Sequence, residues 1–164
     1  MSSTELKQDF ETPFGRMRAT VINDSLVRFT FAKEKDKAAD EHPIFKTLLA
    51  ELDSYFKGNL KQWSIPLAPS GTEFQEKVWT LLQEVEIGTT KNYLDLSKRY
   101  GDEKAIRALA TANGANPICI LIPCHRIIGS DGSLTAYAWG VEMKRELLQL
   151  EQKFSKTVDL FSTL

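Results

Sequence analysis

Ile120-Leu121-Ile122-Pro123-Cys124-His125-Arg126-Ile127-Ile128 sets a thiol, an imidazole and a guanidinium between two runs of bulky apolar residues. Isoleucine-rich runs interrupted by proline read as buried strand segments on either side of a bend. The sequence therefore carries Cys124 and His125 into an interior. Successive residues of an extended strand face opposite sides. The two side chains can cooperate directly only across a bend, for which Pro123 supplies a fixed φ, or else through a bridging water. The reactive form of cysteine is the thiolate, and an ordinary pKa of about 8.5 leaves only a few per cent ionised at neutral pH. A nearby base is needed, and a carboxylate orienting the imidazole would complete the set. Spacing alone does not choose that carboxylate. The pair fits a thiol protease, a transferase, a redox protein, or a buried structural cysteine beside an incidental histidine.

The rest of the chain narrows the setting. Its 164 residues, 42% of them hydrophobic, suit one compact domain or two small lobes. No apolar run approaches the roughly 18 residues that a bilayer demands, and the first ten residues lack a signal-peptide core, so a cytoplasmic protein with no membrane partner is expected. Cys119 and Cys124 are the two cysteines and His42 and His125 the two histidines. A zinc site would need all four, with His42 arriving from far away, so free thiols and no metal are expected. The net charge is −1, yet six basic residues (Lys91, Lys98, Arg99, Lys104, Arg107, Arg126) face three acidic ones between positions 91 and 126. A local basic surface is available, although such runs are usually solvated faces.

Before the central stretch, Phe14, Met17, Ala19, Val21 and Ile22, then Leu26, Val27, Phe29 and Phe31, form two β-like runs around Asn23-Asp24-Ser25, a hairpin signal. An antiparallel sheet follows, covered by a helix whose stripe is Ile44, Leu48, Leu49, Leu52 and Phe56 and which closes at Gly58-Asn59. Nothing there gathers reactive groups, and His42 reads as a surface residue. Pro66, Pro69 and Gly71 mark a linker, dividing a supporting lobe, residues 1–68, from a second lobe, residues 69–164. Thr72-Glu73-Phe74-Gln75 fits a capping box opening a helix with Phe74, Val78, Leu81, Leu82 and Val85 facing the core and Trp79 on its margin.

Residues 92–113 read as two helices broken at Gly101-Asp102, where glycine ends one and aspartate caps the next, a helix-turn-helix pattern. On one face of the second helix Ala108, Thr111, Ala112 and Ala115 are all small, with Arg107 at its start. Close packing on a neighbouring helix explains such a face as well as entry into a DNA groove does. A last helix carries Val141, Leu147, Leu148 and Leu150, with Glu151 near its end.

Pro123-Cys124-His125-Arg126-Ile127, preceded by Arg107-Ala108 and Asn116-Pro117, resembles the active-site signature of the O6-alkylguanine-DNA alkyltransferases. The resemblance extends through Gly71-Thr72-Glu73-Phe74-Gln75, Val78-Trp79, Gly88, Tyr93, Gly132, Tyr137, Gly140, Lys144, Leu147-Leu148 and Glu151, and so covers roughly residues 71–151. It implies an α/β (α+β) fold: an N-terminal ribonuclease-H-like antiparallel sheet with a helix, then a mostly helical lobe holding a helix-turn-helix and the cysteine. It implies DNA repair by irreversible transfer of an alkyl group from guanine O6, and from thymine O4 as a second substrate, to Cys124. No metal or organic cofactor takes part, and a monomer acts on double-stranded DNA.

By the same resemblance His125 deprotonates Cys124 through a water, Glu151 polarises His125, Asn116 braces the turn, and Tyr93 donates to guanine N3. Arg107 fills the stack vacated by a flipped nucleotide, while Ala108, Thr111, Ala112 and Ala115 enter the minor groove and Arg126 belongs to the DNA-contacting basic set. Backbone groups around Ile127 and Ala138, with Tyr93, Tyr137 and Trp139, line the base pocket. A non-enzymatic lesion sensor of the alkyltransferase-like kind is the competing expectation, against which Cys124 speaks. Ala110 and Gln152 stand where the family often has glycine.

Overall fold

The computed structural model describes residues 3–134 and 137–162, with side chains described through residue 154. It separates into two compact units: Met1–Ser70 with Pro117–Cys119, and Gly71–Asn116 with Ile120–Leu164. The separation falls just past the linker prolines, and the three residues Pro117–Cys119 return to the first unit.

In the first unit β1 (Leu6–Thr12), β2 (Gly15–Ile22) and β3 (Ser25–Phe31) form an antiparallel sheet in that order, followed by α1 (Pro43–Phe56). The β2–β3 turn is the two-residue Asn23-Asp24, both at positive φ (50° and 60°) as a tight hairpin requires. Met17, Ala19 and Val21 alternate inward along β2 and join Phe10, Phe29, Phe45, Leu48 and Leu52 in the core. Pro117–Cys119 lies along β3: the Phe29 N–H donates to the Pro117 carbonyl and the Cys119 N–H to the Phe29 carbonyl, both at 2.9 Å. The sheet thus gains a partner for an otherwise open edge.

Three expectations change here. The sheet has a strand, β1, that hydrophobic alternation does not announce, because Gln8 stands between Leu6 and Phe10 on the core face while a buried aspartate, Asp9, lies on the other face. Arg18 explains the aspartate: its Nε and a second guanidinium nitrogen donate to Asp9 at 2.7 and 3.1 Å, and the hydrogen bond and charge hold the carboxyl below its ordinary range against the cost of burial. His42 is no idle surface residue. Its Nδ1 accepts from the Ile44 N–H (3.0 Å), capping α1, so Nε2 carries the hydrogen directed at Asp24 (2.9 Å). Leu49, placed in the apolar stripe, is 60% exposed; Phe45 and Tyr55 point inward with the others.

The second unit contains α2 (Glu73–Leu82), β4 (Lys91–Asn92), α3 (Tyr93–Tyr100), α4 (Ile106–Gly114), β5 (Ile127–Ile128) and α5 (Val141–Ser162). Thr72 and Gln75 form the expected capping box, with bonds of 3.1 and 3.0 Å. Thr72→Ala removes one of these and should cost about 1 kcal/mol, lowering the melting temperature by about 2–4 °C for a chain of this length. Trp79 is buried, not marginal, and its Nε1 donates to the Ala112 carbonyl at 2.9 Å, tying α2 to α4. A Cβ at Gly71 would stand 2.6 Å from the Trp79 ring, which is why glycine precedes the cap.

Asn92 and Asp95 form a second capping box at the start of α3. The helix-turn-helix break lies at Gly101 (φ 105°), after which Asp102 caps a short 3-10 turn that feeds α4. β4 and β5 pair in parallel, Asn92 beside Ile128. This pairing sets the start of α3 next to the end of the central stretch.

Candidate active site

The central stretch is less strand-like than its isoleucines suggest. Only Ile127–Ile128 is strand; Cys124–Arg126 is a 3-10 turn entered from Pro123 (φ −83°, ψ 60°). Ile120 sits at φ +74°, a costly conformation for a β-branched residue and the sharpest backbone outlier near the site. The bend that the sequence needs is thus a turn, in which the Arg126 N–H donates to the Pro123 carbonyl at 3.0 Å.

Two asparagines hold the turn. Asn116 Nδ2 donates to the Ile122 carbonyl (2.8 Å) and to Cys124 Sγ (3.3 Å), while Asn113 Nδ2 donates to the Cys124 carbonyl (3.3 Å). Burial pushes the Cys124 thiol up from its ordinary pKa; the Asn116 hydrogen bond, the Lys144 charge and a hydrogen bond with Tyr137 pull the other way without prevailing. The resting sulfur is a neutral thiol surrounded by groups that favour its anion.

His125 is fully buried, with Nε2 2.7 Å from Glu151 Oε2. Among the described residues its Nδ1 has no hydrogen-bond partner. Burial pushes the imidazole below its ordinary value, opposed by the charge and hydrogen bond of Glu151 and assisted by the charges of Arg126 and Lys144. Burial alone would raise the Glu151 carboxyl, but His125 and Arg126 bring it well below the usual carboxylate range. The site therefore rests with an ionised glutamate, an uncharged base and a protonated nucleophile.

A family model described as 6-O-methylguanine DNA methyltransferase, DNA binding domain, matches residues 73–153. The methylated-DNA–protein-cysteine methyltransferase of Methanosarcina acetivorans is 40% identical over 148 residues, covering 87% of this chain and 95% of that protein. The protein of that name from Haemophilus influenzae is 40% identical over 150 residues, covering 87% and 84%. The chain belongs to the methylated-DNA–protein-cysteine methyltransferase family. Its fold matches the crystal structure of Mycobacterium tuberculosis OGT in complex with DNA, with a TM-score of 0.81 and 33% identity over 90% of this chain and 93% of that one.

Within this methyltransferase-family chain, Cys124 is hydrogen-bonded by buried Asn116 and half-buried Tyr137, and the adjacent His125 by buried Glu151. Tyr93 is the first residue of α3, half-buried beside the β4–β5 pair. Ile127 is buried and its carbonyl receives Lys144 Nζ at 2.7 Å. Ala138 is exposed, and Trp139 packs edge-on against Tyr137 with ring centroids 5.5 Å apart. Arg107, Ala108 and Thr111 are exposed on α4, and Ala115 is exposed at its C-terminal cap.

Two expected DNA-contacting residues do not fit. Ala112, one turn on from Ala108, is buried, and its carbonyl accepts from the Trp79 indole. Arg126 is 4% exposed: Nε and NH2 donate to the two oxygens of Glu151 (2.7 and 3.0 Å) and NH1 to the Val85 carbonyl (2.6 Å), so its charge is paired inside and closed off from a phosphate. A bidentate internal partner has claimed the charge.

Lys144 and Asn113 are functional candidates that residue types alone did not single out. Spacing held a signal for both. Lys144 shares the face of Leu148 and Glu151 at i, i+4 and i+7, and Asn113 follows Leu109 by four, so both lie on buried stripes. A polar residue repeated on an apolar stripe needs a partner inside.

Proposed function

We propose that this chain repairs DNA directly, taking the alkyl group from O6 of an alkylated guanine, and from O4 of an alkylated thymine as a second substrate, onto Cys124 once and irreversibly. The observation that carries the reading is the buried thiol, hydrogen-bonded by Asn116 and Tyr137 beside a histidine whose Nε2 is taken by Glu151 and whose Nδ1 is open. The names of the relatives describe the same chemistry.

The Cys124 proton passes through a water to His125 Nδ1. The sulfur then attacks the alkyl carbon; the S–C bond forms as the C–O6 bond breaks, and the electron pair stays on the purine. Tyr93 donates to ring N3 as that charge develops, and the guanine leaves after taking up one proton. The thioether has no leaving group that water could displace at neutral pH, so each chain acts once.

The O6 atom is out of reach inside a stacked duplex, and the nucleotide must rotate out into a pocket lined by Tyr93, Ile127, Tyr137, Ala138 and Trp139. The exposed small side chains Ala108, Thr111 and Ala115 suit α4 to the narrow minor groove, with Arg107 filling the vacated stack. Residues 69–164 bind DNA and accept the alkyl group while residues 1–68 support them. One chain supplies every group, so a monomer suffices, working in the cytoplasm where DNA is reached; no described helix is long and apolar enough to cross a membrane.

The test is mass spectrometry after incubation with a duplex oligonucleotide containing O6-methylguanine. One methyl per chain is expected, on the peptide holding Cys124, saturating at one equivalent. An unmodified folded chain, or turnover well past one equivalent, would rule the reading out.

A further inference from the structure

Arg126 is a buried charge to which the alkyl-transfer steps assign no task. Its Nε lies 2.7 Å from Glu151 Oε1 and its NH2 3.0 Å from Oε2, the oxygen that His125 Nε2 approaches at 2.7 Å. One carboxylate oxygen is therefore shared between a guanidinium and the imidazole. Resting on the alkyl-transfer reading, we propose that Arg126 is a positioning residue that, by sharing Glu151, fixes the tautomer of His125 and keeps the ring uncharged until Cys124 gives up its proton.

An ionised carboxylate only accepts hydrogen bonds. Glu151 held ionised by Arg126 thus requires the hydrogen of a neutral His125 to sit on Nε2, which leaves the lone pair on Nδ1, the nitrogen with no partner among the described residues. Glu151 by itself would overshoot. A buried carboxylate at 2.7 Å favours the charged form of an imidazole, and an imidazolium formed at rest cannot take the thiol proton. The guanidinium opposes this by occupying both oxygens of Glu151 and by placing a positive charge next to the ring.

The other groups facing His125 complete the balance. From α5 come Glu151 and Lys144, and from its own turn comes Arg126. At rest one negative charge meets two positive ones. Breaking the S–H bond and forming N–H at Nδ1 leaves that total unchanged: the imidazolium gains Glu151 as its counterion, and the thiolate gains the charge of Lys144. The local surplus resists an extra proton on the ring from solvent but accommodates the internal transfer.

The readout is nitrogen NMR of the imidazoles across pH, compared with the pH dependence of methyl transfer. The chain has two histidines, and a His42→Gln chain assigns the other signal to His125. In the unsubstituted protein at neutral pH, Nδ1 should show the shift of an unprotonated ring nitrogen and Nε2 that of an N–H; an imidazolium or the opposite tautomer there overturns the proposal without any variant. In Arg126→Gln the His125 midpoint should rise by about one unit or more, a tenfold gain in protonated ring. The acid limb of the transfer profile should move up in pH by the same interval, so that transfer falls below the new midpoint and recovers as pH rises. Arg126→Lys, which returns the charge without the fork, should move the midpoint back toward the original value.

A purely structural role would lower the melting temperature and leave the midpoint in place. A folded Arg126→Gln chain with an unmoved midpoint therefore rejects the proposal. The titration needs no alkylated DNA, so a chain that accepts no methyl but shows these shifts would defeat the alkyl-transfer reading alone.

Discussion

A Cys124→Ala chain is expected to accept no alkyl group at all, while binding duplex DNA as tightly as the original protein. The loss should be complete because in the proposed reaction the sulfur is the acceptor atom and not an aid to some other nucleophile; Cys119, the second thiol, belongs to the first unit, where its backbone pairs with β3. Binding should survive because Cys124 is 3% exposed and removing one buried sulfur disturbs a small volume, whereas Arg107 and the small residues of α4 are exposed and unaltered. Gel shift with an O6-methylguanine duplex, paired with mass spectrometry, checks both halves. A methyl group appearing elsewhere on the variant at the original rate would remove Cys124 from the mechanism. Cys124→Ser should behave like alanine, because a hydroxyl in a site where burial already disfavours an anion would resist deprotonation more strongly than the thiol does.

The parts of this architecture legible in the sequence are those written in neighbouring residues. Thr72 and Gln75 cap one another across three positions, and Gly101-Asp102 stops one helix and starts the next; neither needs information from elsewhere in the chain. The Cys124-His125 pair was legible as chemistry, and Glu151 only by resemblance, since 26 positions separate it from its histidine.

What was illegible depends on partners distant in sequence. β1 fails the alternation test because Gln8 stands between Leu6 and Phe10 on the core face, and the partner that lets Asp9 be buried on the other face, Arg18, is visible only after the two strands are paired. Arg126 illustrates the same difficulty at the site. Charge near a helix-turn-helix suggests phosphate, and only the position of Glu151 and of the Val85 carbonyl shows that its charge is paired inside. Ala112 was misread because a small residue satisfies a groove and a close helix contact equally well; the Trp79 indole decides between them.

Glu151→Ala should be among the most destabilising single substitutions in the chain, at about 3–5 kcal/mol, because it strands the buried charge of Arg126 and the Nε2 hydrogen of His125 together. Against a total stability of about 5–15 kcal/mol that is a large share, and urea unfolding should show a sharply lowered midpoint. The pH dependence identifies the source. Glu151 is held below its ordinary value of 4.5, so it contributes stability that is present above that pH and is lost as the pH falls toward its folded value. His125, also depressed from an ordinary 6.5, acts in the same direction: below that pH the unfolded chain takes up a proton that the folded chain refuses. The unsubstituted protein should therefore begin to lose stability below about pH 6.5 and lose it more steeply below about 4.5. Glu151→Gln, which keeps the shape and one acceptor oxygen, should make the second decline shallower, leaving the part that Asp9 contributes, while retaining more stability at neutral pH than alanine does. If both variants fall off below pH 4.5 as steeply as the original chain, the carboxylate is not the group that ties acid stability to this site.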